Sequence, residues 1–213
     1  LFASAPLTMS LTATDLTCIR GDRLVFDKAA LSLSAGQALW VKGKNGAGKT
    51  SLLRVVAGLL KPARGSVCWN GIDIREDPDA YQGHCHYIGH QDALKPVLTA
   101  RENLTFWSTY AGVSRVAEAL EIFELSRIAD MPAGILSAGQ KKRTNLARLV
   151  ASPAPLWILD EPISSLDTHY IRLFADCLAA HLKDGGMALF ATHQDLQVDG
   201  VGYLDLNGGG TRE

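Results

Sequence analysis

The stretch "GKNGAGKT", Gly43 to Thr50, leaves this chain few ways to fold. It has the spacing G-x-x-x-x-G-K-T and stands between the apolar run "ALWV" and "SLLRVVAGLL", where Leu52, Leu53, Val56 and Leu60 recur at helical spacing. A glycine loop that joins a strand to a helix aims backbone N–H groups and the helix dipole at one point, and that point suits a phosphate. Gly43, Gly46 and Gly48 permit the tight turn, with Lys44, Asn45 and Ala47 between them. Lys49 has the charge and reach for the terminal phosphates of a nucleotide, and the Thr50 hydroxyl suits magnesium. Ser51 follows in the same turn of the helix.

The rest of the chain agrees with a layered sheet. Leu16 to Phe26 and Leu31 to Val41 carry apolar runs broken by "RGD" and "SAG", which reads as opening strands. "SVCWNGIDI" reads as a hairpin, because Asn70-Gly71 tolerates positive φ at both turn positions. From about Ala100 to Leu125 the pattern turns helical, with Val116, Leu120 and Phe123 on one side and Glu118, Glu121 and Glu124 on the other. "PLWILD" and "MALFAT" then read as strands around a helix containing Ile171, Phe174, Leu178 and Leu182. The expected class is α/β: a P-loop core with a mostly parallel sheet, an N-terminal antiparallel β portion and a helical insert at about 92–145. All of it fits one domain over residues 1–213. Leu1 to Thr8 lacks a basic n-region and reads as an extension ahead of Met9, and "NGGGTRE" as a frayed tail.

Two further segments carry chemistry. In "PLWILDEP" an apolar strand ends in Asp160, placed to hold magnesium through water, and Glu161, placed to polarise an attacking water. Open α/β sheets bind ligands at such strand ends. "ILSAGQKKRTNLARL" looks like a second helix start prepared for an anion. Ser137 and Gln140 have the S-x-x-Q spacing of a capping box, Gly139 lies between them, and three basic residues follow directly.

Bulk properties exclude some classes. With 21 basic and 22 acidic residues the net charge is −1, which gives no footprint for nucleic acid. The longest apolar stretches are too short to cross a bilayer, so work at a membrane requires a partner that spans it. Cys18, Cys68, Cys85 and Cys177 are scattered without a C-x-x-C pair and read as reduced, cytosolic thiols.

Taken in order, the P-loop, Gln91, "LSAGQ" at Leu136 to Gln140, "LDEP", "SSLD" at Ser164 to Asp167 and His193 in "ATHQD" resemble the ATP-binding cassette ATPases over essentially the whole chain. "LSAGQ" between the P-loop and "LDEP" narrows the match to that superfamily. The resemblance implies ATP and Mg2+ as ligands and a head-to-tail pair of copies. In such a pair Ser137, Gly139 and Gln140 meet the ATP held by the other copy, with Asp167 near the seam. It implies that Glu161 is the general base, that His193 hydrogen-bonds the γ-phosphate, and that Gln91 touches magnesium and senses a membrane partner coupled through Asp92 to Leu104. Arg20 falls where the superfamily often has an adenine-stacking aromatic, and Lys44 where proline or serine is commoner.

"YIGHQDALKPVLTARENL", "ADMPAGILSAGQKKRTNLARL", "APLWILDEP" and "ATHQDL" further resemble the ATP-binding subunits of cytochrome c maturation haem exporters. That implies a peripheral ATPase on the cytoplasmic face of a bacterial inner membrane, bound to an integral membrane permease. The competing readings are the ATPase of another small exporter, for a drug or polysaccharide, and a soluble mechanoenzyme acting on DNA or ribosomes. A single cassette without heptads, and near-neutral charge, weigh against the last. "GHCHYIGHQ" offers His84, Cys85, His86 and His90 as haem or metal ligands, with His84 and His86 sharing a face if the segment is a strand. It leads into the Gln91 loop inside the ATPase core, where ordinary packing is the expectation.

Overall fold

The computed structural model describes residues 9–206 and 210–212. The chain opens with β1 (Ser10–Arg20) and β2 (Arg23–Ser34), then β3 (Ala38–Lys42), α1 (Lys49–Val56), β4 (Arg64–Trp69) and β5 (Ile72–Asp73). β2, β1, β4 and β5 form an antiparallel sheet in that order. Asn70 and Gly71 turn β4 into β5 with φ of +51° and +82°, the left-handed pair that a two-residue hairpin requires.

After α2 (Pro78–His84) come β6 (Cys85–Ile88), the helices α3 (Ala100–Tyr110), α4 (Val116–Ile122) and α5 (Ala138–Ala151), then β7 (Leu156–Asp160). The chain continues through α6 (Thr168–Lys183), β8 (Met187–Ala191), β9 (Val201–Asp205) and β10 (Gly210–Arg212). The second sheet runs β10-β9-β3-β8-β7-β6 and is parallel except for β10 on β9. The α/β architecture read from the sequence is therefore the one observed.

Both faces of this sheet are covered, which is why its strands read as unbroken apolar runs. Leu156, Ile158 and Leu189 face a core shared with α1 and the antiparallel sheet, through Leu11, Leu16, Leu52 and Leu53. Their neighbours Trp157, Leu159 and Phe190 face a second core with Leu104, Leu120, Phe123, Leu146 and Phe174. Helix α5 packs against β6, and α3 and α4 pack on α5.

Three expectations need correction. α1 stops at Val56, short of Leu60, because Gly58 turns left-handed at φ +70° and the Leu59 and Leu60 N–H groups bond back to Arg54 O. His84 closes α2, so only His86 lies on a strand and the two do not share a face. Within the expected tail, Gly210–Arg212 pairs with the open edge of β9, Gly210 opposite Asp205. Leu1 to Thr8, Asn207 to Gly209 and Glu213 lie outside the described residues.

Candidate active site

Sheet order builds the site. β3, β8 and β7 are consecutive neighbours and parallel, so the loops leaving their C-terminal ends emerge side by side. β3 delivers the glycine loop, β7 delivers Asp160 and Glu161, and β8 leads to His193. Between them lies a cleft of about 410 Å³ lined by Asn45, Gly46, Gly48, Lys49, Thr50, Ser51, Asp160, Glu161 and His193, together with Val25 and His90.

Gly48 caps α1 at φ +99°, and a Cβ there would stand 2.5 Å from Val25 Cγ1. Conformation and close approach both demand glycine. Gly43 and Gly46 have φ of +154° and +81°, and Ala47 N–H bonds Lys44 O at 3.0 Å. Lys49 Nζ lies across the loop, donating to Gly43 O at 2.8 Å and Lys44 O at 3.3 Å. The Thr50 hydroxyl donates to Asp160 Oδ2 at 2.8 Å, and Asp160 is buried. These two oxygen groups, from helix and strand, are the ones a hard cation would share.

Glu161 adopts φ +52°, a strained region for a non-glycine residue, and is held there by its N–H on Ala191 O at 2.8 Å. The Ser164 hydroxyl bonds its carbonyl at 3.0 Å. Its carboxylate Oε1 is 3.3 Å from His193 Nε2, with the Glu161 side chain 18% exposed and that of His193 58% exposed. A shielded carboxylate therefore stands beside an accessible imidazole.

Other sequence-derived residues lie elsewhere. Arg20 is exposed at the end of β1 and does not line the cleft; Val25 of β2 does. Burial pushes the Cys18 thiol up, opposed by the Arg20 charge and a hydrogen bond with Ser51. Gln91 is exposed and off the cleft wall, which His90 lines instead. The following Asp92 accepts from Lys142 Nζ and Asn145 Nδ2, each at 3.3 Å, and Lys142 Nζ also bonds His90 O at 3.4 Å. The loop is thereby tied to α5.

Ser137 caps α5 as its spacing predicts. Its hydroxyl accepts from Gln140 N at 3.2 Å while Gln140 Oε1 accepts from Ser137 N at 2.9 Å. A Cβ on Gly139 would stand 3.1 Å from Ser165 O, and Asp167 caps α6 by accepting from Tyr170 N at 3.2 Å. These two helix starts adjoin each other, but Ser137, Gly139, Gln140 and Asp167 are absent from the cleft wall.

In the histidine-rich segment His84, Cys85 and His86 are used for packing. His86 Nε2 bonds the Ser152 carbonyl, His84 stacks on Trp69 with ring centroids 5.6 Å apart, and burial pushes Cys85 up to about 12. Burial also lowers His86 to about 4 from 6.5. The folded chain therefore binds this proton less readily than the unfolded chain. Its contribution is complete above about pH 6.5 and is lost as pH falls to about 4, about 3 kcal/mol in all. Urea midpoints at pH 7 and pH 4.5 should differ less in His86→Gln than in the parent chain; an equal difference would remove His86 as a cause.

No helix among the described residues is long and apolar enough to cross a membrane. Residues 26–164 match the ABC transporter family. The chain is 50% identical to "Cytochrome c biogenesis ATP-binding export protein CcmA" of Paramagnetospirillum magneticum, over 93% of this chain and 94% of that protein. It is 47% identical to the protein of the same name in Rhodospirillum rubrum, over 97% and 88%. Among solved structures it resembles an ATP-binding subunit of an ABC transporter with TM-score 0.84 and 25% identity, covering 92% of this chain and 85% of that one. A putative ABC transporter ATP-binding protein from Pyrococcus furiosus shares the fold with TM-score 0.82 and 23% identity, over 95% and 100%.

Proposed function

The chain belongs to the ABC transporter family of ATP-binding proteins, and from that we propose that it hydrolyses ATP to drive haem export, or release of a haem-loaded chaperone, in cytochrome c biogenesis. One observation carries the mechanism: Lys49, Thr50, Asp160, Glu161 and His193 share a cleft, whereas the prepared helix start at Ser137 does not line it. Each chain then offers a phosphate cradle at one place and an anion cap at another, and two copies paired head to tail complete two sites.

In this reading the backbone N–H groups of Gly43 to Ser51 receive the phosphates, and Lys49 turns from the Gly43 and Lys44 carbonyls to the terminal oxygens. Lys44 adds positive charge to the loop. Arg20 would have to reach around Val25 to stack its guanidinium on the base. The Thr50 hydroxyl and the Asp160 carboxylate fit a magnesium ion, which would neutralise charge on the phosphate oxygens, and the Gln91 amide oxygen would have to move in from outside the cleft wall to join them. Glu161 takes the proton from the water whose oxygen attacks the γ-phosphorus, and ADP leaves. His193 holds the γ-phosphate from the solvent side and keeps Glu161 oriented.

The chain is a peripheral subunit in this scheme, held on the cytoplasmic face of the inner membrane by an integral permease. Exposed Val97, Phe106, Tyr110 and Ile135, on and beside α3, give that partner an apolar surface. Ser137→Arg tests the paired arrangement. Binding of a fluorescent ATP analogue should stay within about twofold while turnover falls about 10²-fold or more, the loss expected for one transition-state donor. Loss of binding and turnover together would place Ser137 in the same chain's site.

A further inference from the structure

The ladder between β3 and β8 pairs Ala38 with Ala188, Leu39 with Leu189 and Trp40 with Phe190, and goes no further. Past that point β3 runs through Val41 and Lys42 into the glycine loop, while β8 runs through Ala191 and Thr192 to His193. One side chain spans the gap. The indole Nε1 of Trp40 donates to the carbonyl oxygen of Thr192 at 3.0 Å. That carbonyl belongs to the peptide plane whose N–H is that of His193, so holding it fixes the direction in which the chain enters His193. The other side of the histidine is held too, because Thr192 Oγ1 accepts from Gln194 N at 3.2 Å.

The indole is itself fixed. It stacks with Phe190 at a centroid distance of 6.2 Å and an interplanar angle of 19°. Lys42 Nζ lies 4.1 Å from the Trp40 ring centroid and 4.6 Å from that of Tyr203, so the ammonium is shared by two aromatic rings immediately before Gly43. We propose that Trp40 is a positioning residue for His193, linking the strand that carries the phosphate loop to the peptide that aims the imidazole at Glu161. The proposal rests on the reading of His193 as the residue that holds the γ-phosphate.

Indole N–H is a donor without acceptor capacity, so phenylalanine removes this one bond and keeps a ring for the Phe190 stack. Trp40→Phe should lower kcat about tenfold with KM for ATP unchanged, because small misplacement of a reacting group is paid in rate. It should also move the ring-proton NMR signal of His193, identified by its loss in His193→Ala, while the amide signals of Gly43 to Thr50 keep their positions. Trp40→Gln, which restores an N–H at similar reach, should return the His193 signal toward that of the parent chain, and it provides the readout if the phenylalanine variant folds poorly. A His193 signal and turnover unchanged in Trp40→Phe, or a glutamine variant no closer to the parent than phenylalanine, would overturn the proposal. Full turnover in His193→Ala would instead overturn the reading of His193 on which it rests.

Discussion

Glutamine at position 161 should slow ATP turnover by about 10²- to 10⁴-fold, the range expected for loss of a general base, and leave ATP bound. The amide is isosteric, can keep contact with His193 Nε2, now at 3.3 Å, and leaves untouched the backbone bond to Ala191 O that holds φ at +52°. It cannot take a proton from water. If the active centre is shared between copies, ATP that cannot be cleaved should hold them together. Glu161→Gln with saturating ATP and magnesium should therefore run as a dimer in size-exclusion chromatography with light scattering, and the parent chain should not accumulate as one. A variant that binds ATP and remains monomeric, with and without the membrane partner, would remove Ser137 from the neighbouring site.

Lys49→Ala attacks the other half of the cleft. Its Nζ braces the glycine loop through Gly43 O and Lys44 O, and in the proposed mechanism it is the cation that meets the terminal phosphates. Alanine removes both, so turnover should fall about 10²- to 10³-fold, as when a preorganised charge is taken from a transition state. ATP affinity should fall as well, measured by titration with a fluorescent analogue. The two variants thus separate by a single observation: Glu161→Gln collects ATP-bound dimers and Lys49→Ala does not. Equal dimer formation by both would mean that pairing does not depend on the bound triphosphate.

The parts legible in the sequence are those whose chemistry is local. Asn70-Gly71 announces its hairpin because two adjacent left-handed residues have few alternatives. Ser137 and Gln140 announce a helix start because each satisfies the other's backbone N–H. The glycine loop is recognisable because only glycine tolerates φ of +99° with Val25 Cγ1 so near.

What escaped the sequence depends on sheet order. Val25 and His90 reach the cleft from β2 and from the loop after β6, and Trp40 meets Thr192 across 152 residues. No spacing rule connects those positions. The knowledge required is that β3 lies beside β8, which is a property of the assembled sheet and of no local segment. The early end of α1 and the pairing of Gly210–Arg212 escaped for a related reason. A left-handed Gly58 and an open edge on β9 act on backbone N–H groups, to which apolar periodicity is blind.

Every residue of α5 from Lys142 to Ala151 is buried, and both bonds of its capping box are already made. Ser137 is consequently mounted on the end of a rod clamped along its length, not on a pliant loop. A surface of that kind surrenders little conformational freedom when something settles against it, so contact energy would be retained as grip instead of being consumed in setting the shape.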